Sequence, residues 1–130
     1  MVKGGAGADE LRGGGGADTI IGGGGHDTIR GGGQADRIVG AGKDDDLTGG
    51  GGADTFVFRS NGGTDIVRDF SSQQGDRLDF SGIDGIRDFN DLRSNHLDQV
   101  GDDAVITGGG SVVVLDNLNV AALSADDFLF

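Results

Sequence analysis

Residues 4–57 consist of six consecutive nine-residue units: GGAGADELR (4–12), GGGGADTII (13–21), GGGGHDTIR (22–30), GGGQADRIV (31–39), GAGKDDDLT (40–48) and GGGGADTFV (49–57). The first position is Gly in all six units. The sixth position is always Asp, at Asp9, Asp18, Asp27, Asp36, Asp45 and Asp54. The eighth position is always large and apolar, at Leu11, Ile20, Ile29, Ile38, Leu47 and Phe56. This gapless period of nine predicts a repeat architecture in which each unit packs against its neighbours.

Each unit predicts a turn followed by a strand. The glycine-rich residues before the Asp indicate a turn whose backbone adopts positive φ or closely approaches a bound group. The three residues after the Asp, such as Thr28–Arg30, predict a very short strand whose middle side chain lies on one face. Stacking would align these side chains into one core. Gln34 and Lys43 replace the usual Gly at the fourth position, and Ala41 replaces it at the second. We expect the turns at Gln34 and Lys43 to be strained.

The acidic residues of the chain favour a hard cation as the partner. All 22 except Glu10 are Asp, which tolerates tight turns, and the net charge is −12. This charge argues against nucleic acid and anionic membranes as partners, whereas oxygen-rich sites suit Ca²⁺ or Mg²⁺.

The composition excludes several classes of chain. The chain has 29 Gly but no Pro, which excludes collagen, and it has no Cys for a disulfide. We find no apolar stretch near the ~20 residues of a membrane span. The repeats begin directly after Lys3 without a signal-peptide region. We therefore expect a module cut from a longer protein, or export that uses another signal.

The repeat matches the nonapeptide pattern G-G-x-G-x-D-x-U-x, in which U is large and apolar. The sequence therefore resembles the repeats-in-toxin (RTX) calcium-binding modules. These include the C-terminal domains of serralysin-type metalloproteases, related lipases and haemolysins, and the R-modules of mannuronan epimerases. The resemblance implies an all-β fold, a right-handed parallel β-roll closed by a β-rich C-terminal segment. It also implies that two repeats form one coil, and that Ca²⁺ lies between turns stacked two repeats apart.

The resemblance assigns oxygen ligands residue by residue. One turn gives the carbonyls of positions two and four and its Asp, and the next turn on the same side gives those of positions one and three and its Asp. The first set is Gly5, Gly7, Asp9, Gly22, Gly24 and Asp27. The second set is Gly14, Gly16, Asp18, Gly31, Gly33 and Asp36. The third set is Gly23, Gly25, Asp27, Gly40, Gly42 and Asp45. The fourth set is Gly32, Gln34, Asp36, Gly49, Gly51 and Asp54. We expect about four or more ions.

The period breaks after Val57, and residues 58–130 have ordinary core patterning. The stretch from Phe58 to Phe70 resembles the closing segment of the family, so that Asp65 becomes a further ligand. Asp69 is either a weaker ligand or a solvated loop residue. The sequence further predicts a strand over 75–83, a short helix near 88–95, a hairpin from strands over 104–107 and 111–115, and a helical turn at 121–123.

These observations predict a non-catalytic calcium-binding module, with repeats over 4–57 and a capping segment over 58–130 in the same module. Calcium-induced folding is expected, because six buried apolar side chains contribute only ~9–18 kcal/mol against the entropy of ordering a glycine-rich chain. The acidic-then-aromatic end at 126–130 resembles the C-terminal tail of Gram-negative type I secretion substrates. We therefore expect a secreted, monomeric module that supports the secretion, folding and stability of its parent protein.

An acidic polysaccharide of the alginate type is the alternative partner, as in epimerase R-modules. The basic strand residues Arg12, Arg30 and Arg37 would face it. Other site types fit poorly. No glycine run ends in Gly-Lys-Ser/Thr, and an EF-hand beginning at Asp44 would have Thr55 where it needs Glu. His26 and His96 are isolated and are expected to be surface residues.

Overall fold

The structure is a computed structural model that describes all residues from 1 to 130. It contains thirteen strands and one α-helix. The strands are β1 Val2–Ala6, β2 Glu10–Gly15, β3 Thr19–Gly24, β4 Thr28–Gly33, β5 Arg37–Gly42, β6 Asp46–Gly51, β7 Thr55–Arg59, β8 Gly63–Val67, β9 Arg77–Gly82, β10 Leu97–Val100, β11 Asp103–Gly108, β12 Ser111–Leu115 and β13 Phe128–Leu129. The helix is α1 Phe89–Asn95, and short 3-10 turns occur at Ser72–Gln74, Val120–Ala122 and Ala125–Asp127.

Successive strands of the repeats alternate between two sheets. One sheet has the order β1-β3-β5-β7-β9-β13, and the other has the order β10-β11-β12-β8-β6-β4-β2. Neighbouring repeat strands are parallel and two repeats apart, as in the pairs Ile20 with Ile38 and Ile29 with Leu47. Two repeats therefore make one coil of a parallel β-roll, and the predicted all-β fold is confirmed.

The strands are longer than the three residues that the sequence analysis predicts. β3, for example, includes Gly22, Gly23 and Gly24 in addition to Thr19–Ile21. These glycines belong to the ladder, because Gly23 pairs with Gly5 on one side and with Ala41 on the other. The first three positions of each repeat thus finish a strand, and only the fourth to sixth positions form the turn.

Positive φ angles recur at the second and fourth positions of the repeats. At the fourth position Gly7, Gly16, Gly25 and Gly52 all have φ above 100°. The non-glycine residues at these positions have the same conformation, with φ of 73° at Gln34, 79° at Lys43 and 89° at Ala41. An L-residue is disfavoured in this region, so the strain expected at Gln34 and Lys43 has a geometric basis.

The apolar eighth position builds the core between the two sheets. Ile20, Ile29, Ile38, Leu47 and Phe56 are completely buried. Leu11, in the first coil, is only half-buried because no coil precedes it in the structure. The row continues beyond the repeats through Val67 and Leu78, which are also completely buried. The core is therefore continuous from the repeats into the C-terminal half.

Residues 58–130 extend both sheets and close one end of the roll. β8 and β9 pair with β6 and β7, while β12 lies parallel to β8 and forms an antiparallel hairpin with β11. β13 pairs with β9, which places Phe128 against Phe80. The side chain of Asp88 caps the amide of Asp91 at the start of α1. The helix and the hairpin thus form where the sequence predicts them. With seven residues, α1 is far too short to cross a membrane.

We predict that Gln34→Gly stabilises the folded protein in Ca²⁺-containing buffer. Relief of the left-handed strain at Gln34, worth roughly 1–2 kcal/mol, exceeds the added freedom of Gly in the unfolded chain, which leaves a gain of about 1 kcal/mol. Denaturant unfolding measures the change. Gln34→Ala keeps the Cβ atom at φ 73° and serves as the control. An equal gain from both variants would contradict backbone strain as the cause.

Candidate metal centre

The turns of the roll stack in two columns, one on each side. Each turn ends in one aspartate. The aspartates of the first column are Asp9, Asp27, Asp45 and Asp65, and those of the second column are Asp18, Asp36, Asp54 and Asp76. Within each column, the backbone N–H of one aspartate donates to Oδ1 of the next. The distance from Asp9 N to Asp27 Oδ1 is 2.9 Å, and the distance from Asp27 N to Asp45 Oδ1 is also 2.9 Å. One oxygen of each carboxylate after the first is therefore fixed by the fold.

The other carboxylate oxygen has no partner in any of the six repeats. The Oδ2 atoms concerned are buried without a hydrogen bond in Asp9, Asp18, Asp27, Asp36, Asp45 and Asp54. A buried polar atom without a partner is costly, and a charged one is more so. The same unpaired oxygen in all six repeats indicates a position where a ligand binds.

Carbonyl oxygens from the next turn lie beside these free carboxylate oxygens. A Cβ atom built on Gly4 would lie 2.5 Å from Asp9 Oδ2 and 2.7 Å from the carbonyl oxygen of Gly22. The same pairing occurs for Asp18 with Gly31, for Asp27 with Gly40 and for Asp36 with Gly49. These four gaps lie between the same pairs of turns as the four ligand sets that the family resemblance implies. The invariant first-position Gly keeps them open, because a side chain there would fill them.

Several other carbonyls of the predicted sets point toward the neighbouring turn. In the first gap, the carbonyls of Gly5 and Gly7 point forward at Gly23 and Gly25, so that a Cβ on either would clash with them. The carbonyl of Gly24 points backward and accepts the amide of Gly7 at 2.6 Å. In the fourth gap, the carbonyls of Gly32 and Gln34 point in the same way at Gly50 and Gly52. At the first gap, carbonyls of each turn thus point toward the other turn, and at the fourth gap the carbonyls of Gly32 and Gln34 point toward the next turn.

This oxygen-only arrangement suits calcium. No group of three or more His, Cys, Asp or Glu side chains surrounds any point of the structure. Each gap offers two carboxylates, and any further ligands must be neutral carbonyls. Ca²⁺ accepts six to eight oxygen ligands with flexible geometry, and backbone carbonyls are among its usual ligands. The residues present thus fit a Ca²⁺ ion between stacked turns.

Burial also raises the pKa values of the aspartates near the C-terminal end of the columns. Loss of hydration raises the pKa of Asp45 and of Asp54 to about 6, and that of Asp65 to about 7. The charges of neighbouring aspartates in the same column contribute to these raised pKa values. The ionised form is thus disfavoured in the folded chain alone, and a cation in the gap would reverse this effect.

Two C-terminal aspartates continue the columns, and the sequence analysis found one of them. Asp65 accepts the amide of Asp45 at 3.0 Å, as its predicted position after a Gly-Thr turn implies. Asp76 accepts the amide of Asp54 at 2.9 Å and was missed. Its signal is the sequence Asp76-Arg77-Leu78, which retains the sixth and eighth positions of a repeat without the glycines.

Asp69 lies outside both columns. Its Oδ1 and Oδ2 atoms accept the amides of Gly49 and Gly50, each at 2.8 Å. Both oxygens are therefore occupied by protein donors. The geometry supports neither of the roles considered from the sequence, a weaker ligand or a solvated loop residue.

We predict that Gly22→Ala and Gly24→Ala differ sharply, although both leave the backbone carbonyls in place. A Cβ at Gly22 would clash with Asp27 Oδ2 and lie 2.8 Å from the carbonyl oxygen of Gly40, whereas nothing lies within 4 Å of a Cβ at Gly24. Gly22→Ala should weaken Ca²⁺ binding and destabilise the loaded protein by about 2 kcal/mol or more, with Gly24→Ala close to the wild type. Calorimetric titration and thermal unfolding measure both effects. Equal behaviour of the two variants would contradict this geometry.

Sequence and structure comparisons give a consistent result. Residues 3–38 and 30–67 match the family model of the RTX calcium-binding nonapeptide repeat, with four copies. No curated protein sequence shows a significant match to the chain. The crystal structure of the extracellular lipase LipA from Serratia marcescens is similar at 28% identity and a TM-score of 0.80 over 98% of this chain. This chain covers only 20% of the lipase.

Two structures of R-modules are similar to this chain over most of their own length. The AlgE6R3 subunit of the Azotobacter vinelandii mannuronan C5-epimerase is 32% identical, with a TM-score of 0.74 over 97% of this chain and 80% of that subunit. The AlgE6R2 subunit of the Azotobacter vinelandii mannuronan C5-epimerase is 35% identical, with a TM-score of 0.66 over 99% of this chain and 91% of that subunit. The repeats, the stacked aspartates and these matches together place the chain in the RTX family of calcium-binding nonapeptide repeats.

Proposed function

We propose that this chain is a non-catalytic module that folds when it binds Ca²⁺ and thereby supports the folding and stability of a secreted protein. The observation that carries the proposal is the set of six buried Oδ2 atoms without a hydrogen-bond partner. Folding alone creates this cost, because an unfolded chain would leave the same oxygens in water. Calcium binding would remove the cost only in the folded state, so binding and folding are coupled.

We further propose four ions at the predicted ligand sets and a fifth between Asp45 and Asp65. The fifth gap is supported by the free Oδ2 of Asp45 and by Gly63, which meets the carbonyl of Lys43 as Gly25 meets that of Gly7. We propose no ion in the equivalent gap of the second column, between Asp54 and Asp76. Asp76 accepts the amides of both Asp54 and Ser71, which leaves neither of its oxygens free.

Residues 58–130 are proposed to cap the roll and to carry the secretion signal at their C-terminal end. Without β8 and β9, strands β6 and β7 would be exposed sheet edges, which favour aggregation. The final residues are folded into the structure, since Phe128 is buried and β13 pairs with β9. A secretion apparatus would therefore read them from the unfolded chain. Low cytosolic Ca²⁺ would preserve that state, and millimolar Ca²⁺ outside the cell would end it.

We predict that strand content depends on calcium. The far-UV circular dichroism of the chain in excess chelator should indicate mostly disorder, and addition of Ca²⁺ should produce the strand signal cooperatively. Asp27→Asn, which changes a residue of the first and third sets, should raise the Ca²⁺ concentration required by about tenfold or more. Asp98→Asn removes the same charge at an exposed residue and is the matched control. Complete strand signal in chelator would contradict coupled folding.

An acidic polysaccharide is a second candidate partner, favoured by the similarity to two R-modules of a mannuronan C5-epimerase. The structure divides the basic residues that the sequence analysis grouped together. Arg12 and Arg30 are exposed neighbours in register on β2 and β4, whereas Arg37 lies in the other sheet and is 3.8 Å from Asp79. Residues 1–57 carry nine acidic and five basic side chains. Four Ca²⁺ ions would change their formal charge from −4 to +4.

We predict that polyuronate oligomers bind only the calcium-loaded protein, at the face of β2 and β4. Arg30→Ala should weaken this binding, because Arg30 has no acidic partner within salt-bridge distance. Arg93→Ala, a change at an exposed residue of α1, is the control. Residue-resolved chemical shifts during the titration measure binding. Absence of shifts at millimolar oligomer would remove this candidate.

A further inference from the structure

We propose that Asp69 is a positioning residue of the fourth calcium site, which it orients from outside the coordination sphere. The inference rests on the proposed ligand set that contains Gly49, Gly51 and Asp54. Asp69 follows β8 and lies beside the sixth repeat, where its two oxygens accept the amides of Gly49 and Gly50 at 2.8 Å.

The second of these hydrogen bonds acts on a ligand peptide. The amide of Gly50 and the carbonyl of Gly49 belong to the same peptide unit. Its carbonyl oxygen lies 2.5 Å from a Cβ built on Gly31, beside Asp36 Oδ2, and thus faces the fourth gap. Its N–H faces the opposite way and donates to Asp69 Oδ2. An ionised acceptor on the N–H fixes the peptide plane and increases the negative charge of its carbonyl oxygen.

Two further amides of the sixth repeat also donate to side chains of the segment that follows β8. The carbonyl of Gly51 shares a peptide with the amide of Gly52, which donates to Gln74 Oε1 at 3.2 Å. The amide of Asp54 donates to Asp76 Oδ1 at 2.9 Å. Side chains of the segment 69–76 thus accept the amides of Gly49, Gly50, Gly52 and Asp54 in the sixth repeat.

In the interior turns, the following coil provides these acceptors. The amide of Gly7 donates to the carbonyl of Gly24, and the amide of Gly25 donates to the carbonyl of Gly42. The sixth turn has no such coil, because pairing of β6 with β8 covers only Asp46 and Leu47. The corresponding pairing of β4 with β6 continues to Gly33. Gln74 therefore replaces the backbone acceptor that a seventh coil would provide for the amide of Gly52, and Asp69 accepts the amides of Gly49 and Gly50 where β8 no longer pairs with β6.

The test is a residue-resolved NMR titration of the whole chain with Ca²⁺, combined with counting of bound ions. Asp69→Ala should lower the affinity of the fourth site, reported by Gly32 and Asp54, by about tenfold, which is typical for the loss of an outer-shell partner. The affinity of the first site, reported by Gly5 and Gly22, and the number of ions at saturation should not change. Asp69→Asn retains one neutral acceptor oxygen and should show a smaller loss. In both variants the amide protons of Gly49 and Gly50 should move upfield.

Asp98→Asn is again the charge-matched control, since Asp98 is exposed on β10. Loss of one ion in the Asp69 variants would make Asp69 a ligand and overturn the proposal. Equal loss of Ca²⁺ affinity at the first and fourth sites would show that Asp69 only stabilises the fold in general. Unchanged affinity at the fourth site would show that Asp69 does not position its ligands. Either result would overturn the proposal. Failure of the wild type to bind Ca²⁺ would instead overturn the calcium function on which the inference rests.

Discussion

The fold places negatively charged oxygens in two buried columns, and the remaining features of the roll follow from this arrangement. Each repeat contributes one carboxylate whose Oδ1 is held by a backbone amide, from Asp27 and Asp36 onward, and whose Oδ2 has no partner. Stacking the turns brings like charges together in a region of reduced hydration, which raises the pKa of Asp45, Asp54 and Asp65. A cation in each gap converts this repulsion into attraction. Under the proposed function, the hydrophobic core and the ladder hydrogen bonds would therefore form only together with ion binding.

Glycine serves two separate needs in the repeat. At the first position it leaves room, since a side chain on Gly22 would collide with the carboxylate of Asp27. At the second and fourth positions it permits positive φ, as in Gly23 and Gly25. The substitutions at Gln34, Ala41 and Lys43 fall only at positions of the second kind, where the penalties are left-handed strain and close approach to a carbonyl of the preceding coil. No side chain occurs at the first position, where it would occupy the ion site.

Much of this arrangement could be predicted from the sequence because its signals are local and periodic. The invariant Asp and apolar positions predicted the repeat and the core row, and the family resemblance that they carry implied the coil and the four gaps. The lengths of the strands were underestimated, because glycine has a low strand propensity and Gly23 belongs to β3 only through its pairing with Gly5 and Ala41. Asp76 was missed because Ser71–Gln74 replace the glycine-rich start of a repeat and include a 3-10 turn at Ser72–Gln74. The contacts of Asp69 join residues about twenty positions apart without a repeat, so only the structure could reveal them.

The central claim is that cations occupy the gaps beside the free carboxylate oxygens. An anomalous difference map from crystals grown in Ca²⁺ tests it most directly, because Ca²⁺ scatters X-rays anomalously whereas the carbon, nitrogen and oxygen atoms of the protein hardly do. We predict five peaks in two columns. In the first column they lie between Asp9 and Asp27, between Asp27 and Asp45, and between Asp45 and Asp65. In the second column they lie between Asp18 and Asp36 and between Asp36 and Asp54. Each peak should lie within about 2.3–2.6 Å of carboxylate and carbonyl oxygens. Well-ordered columns without anomalous peaks would contradict the account.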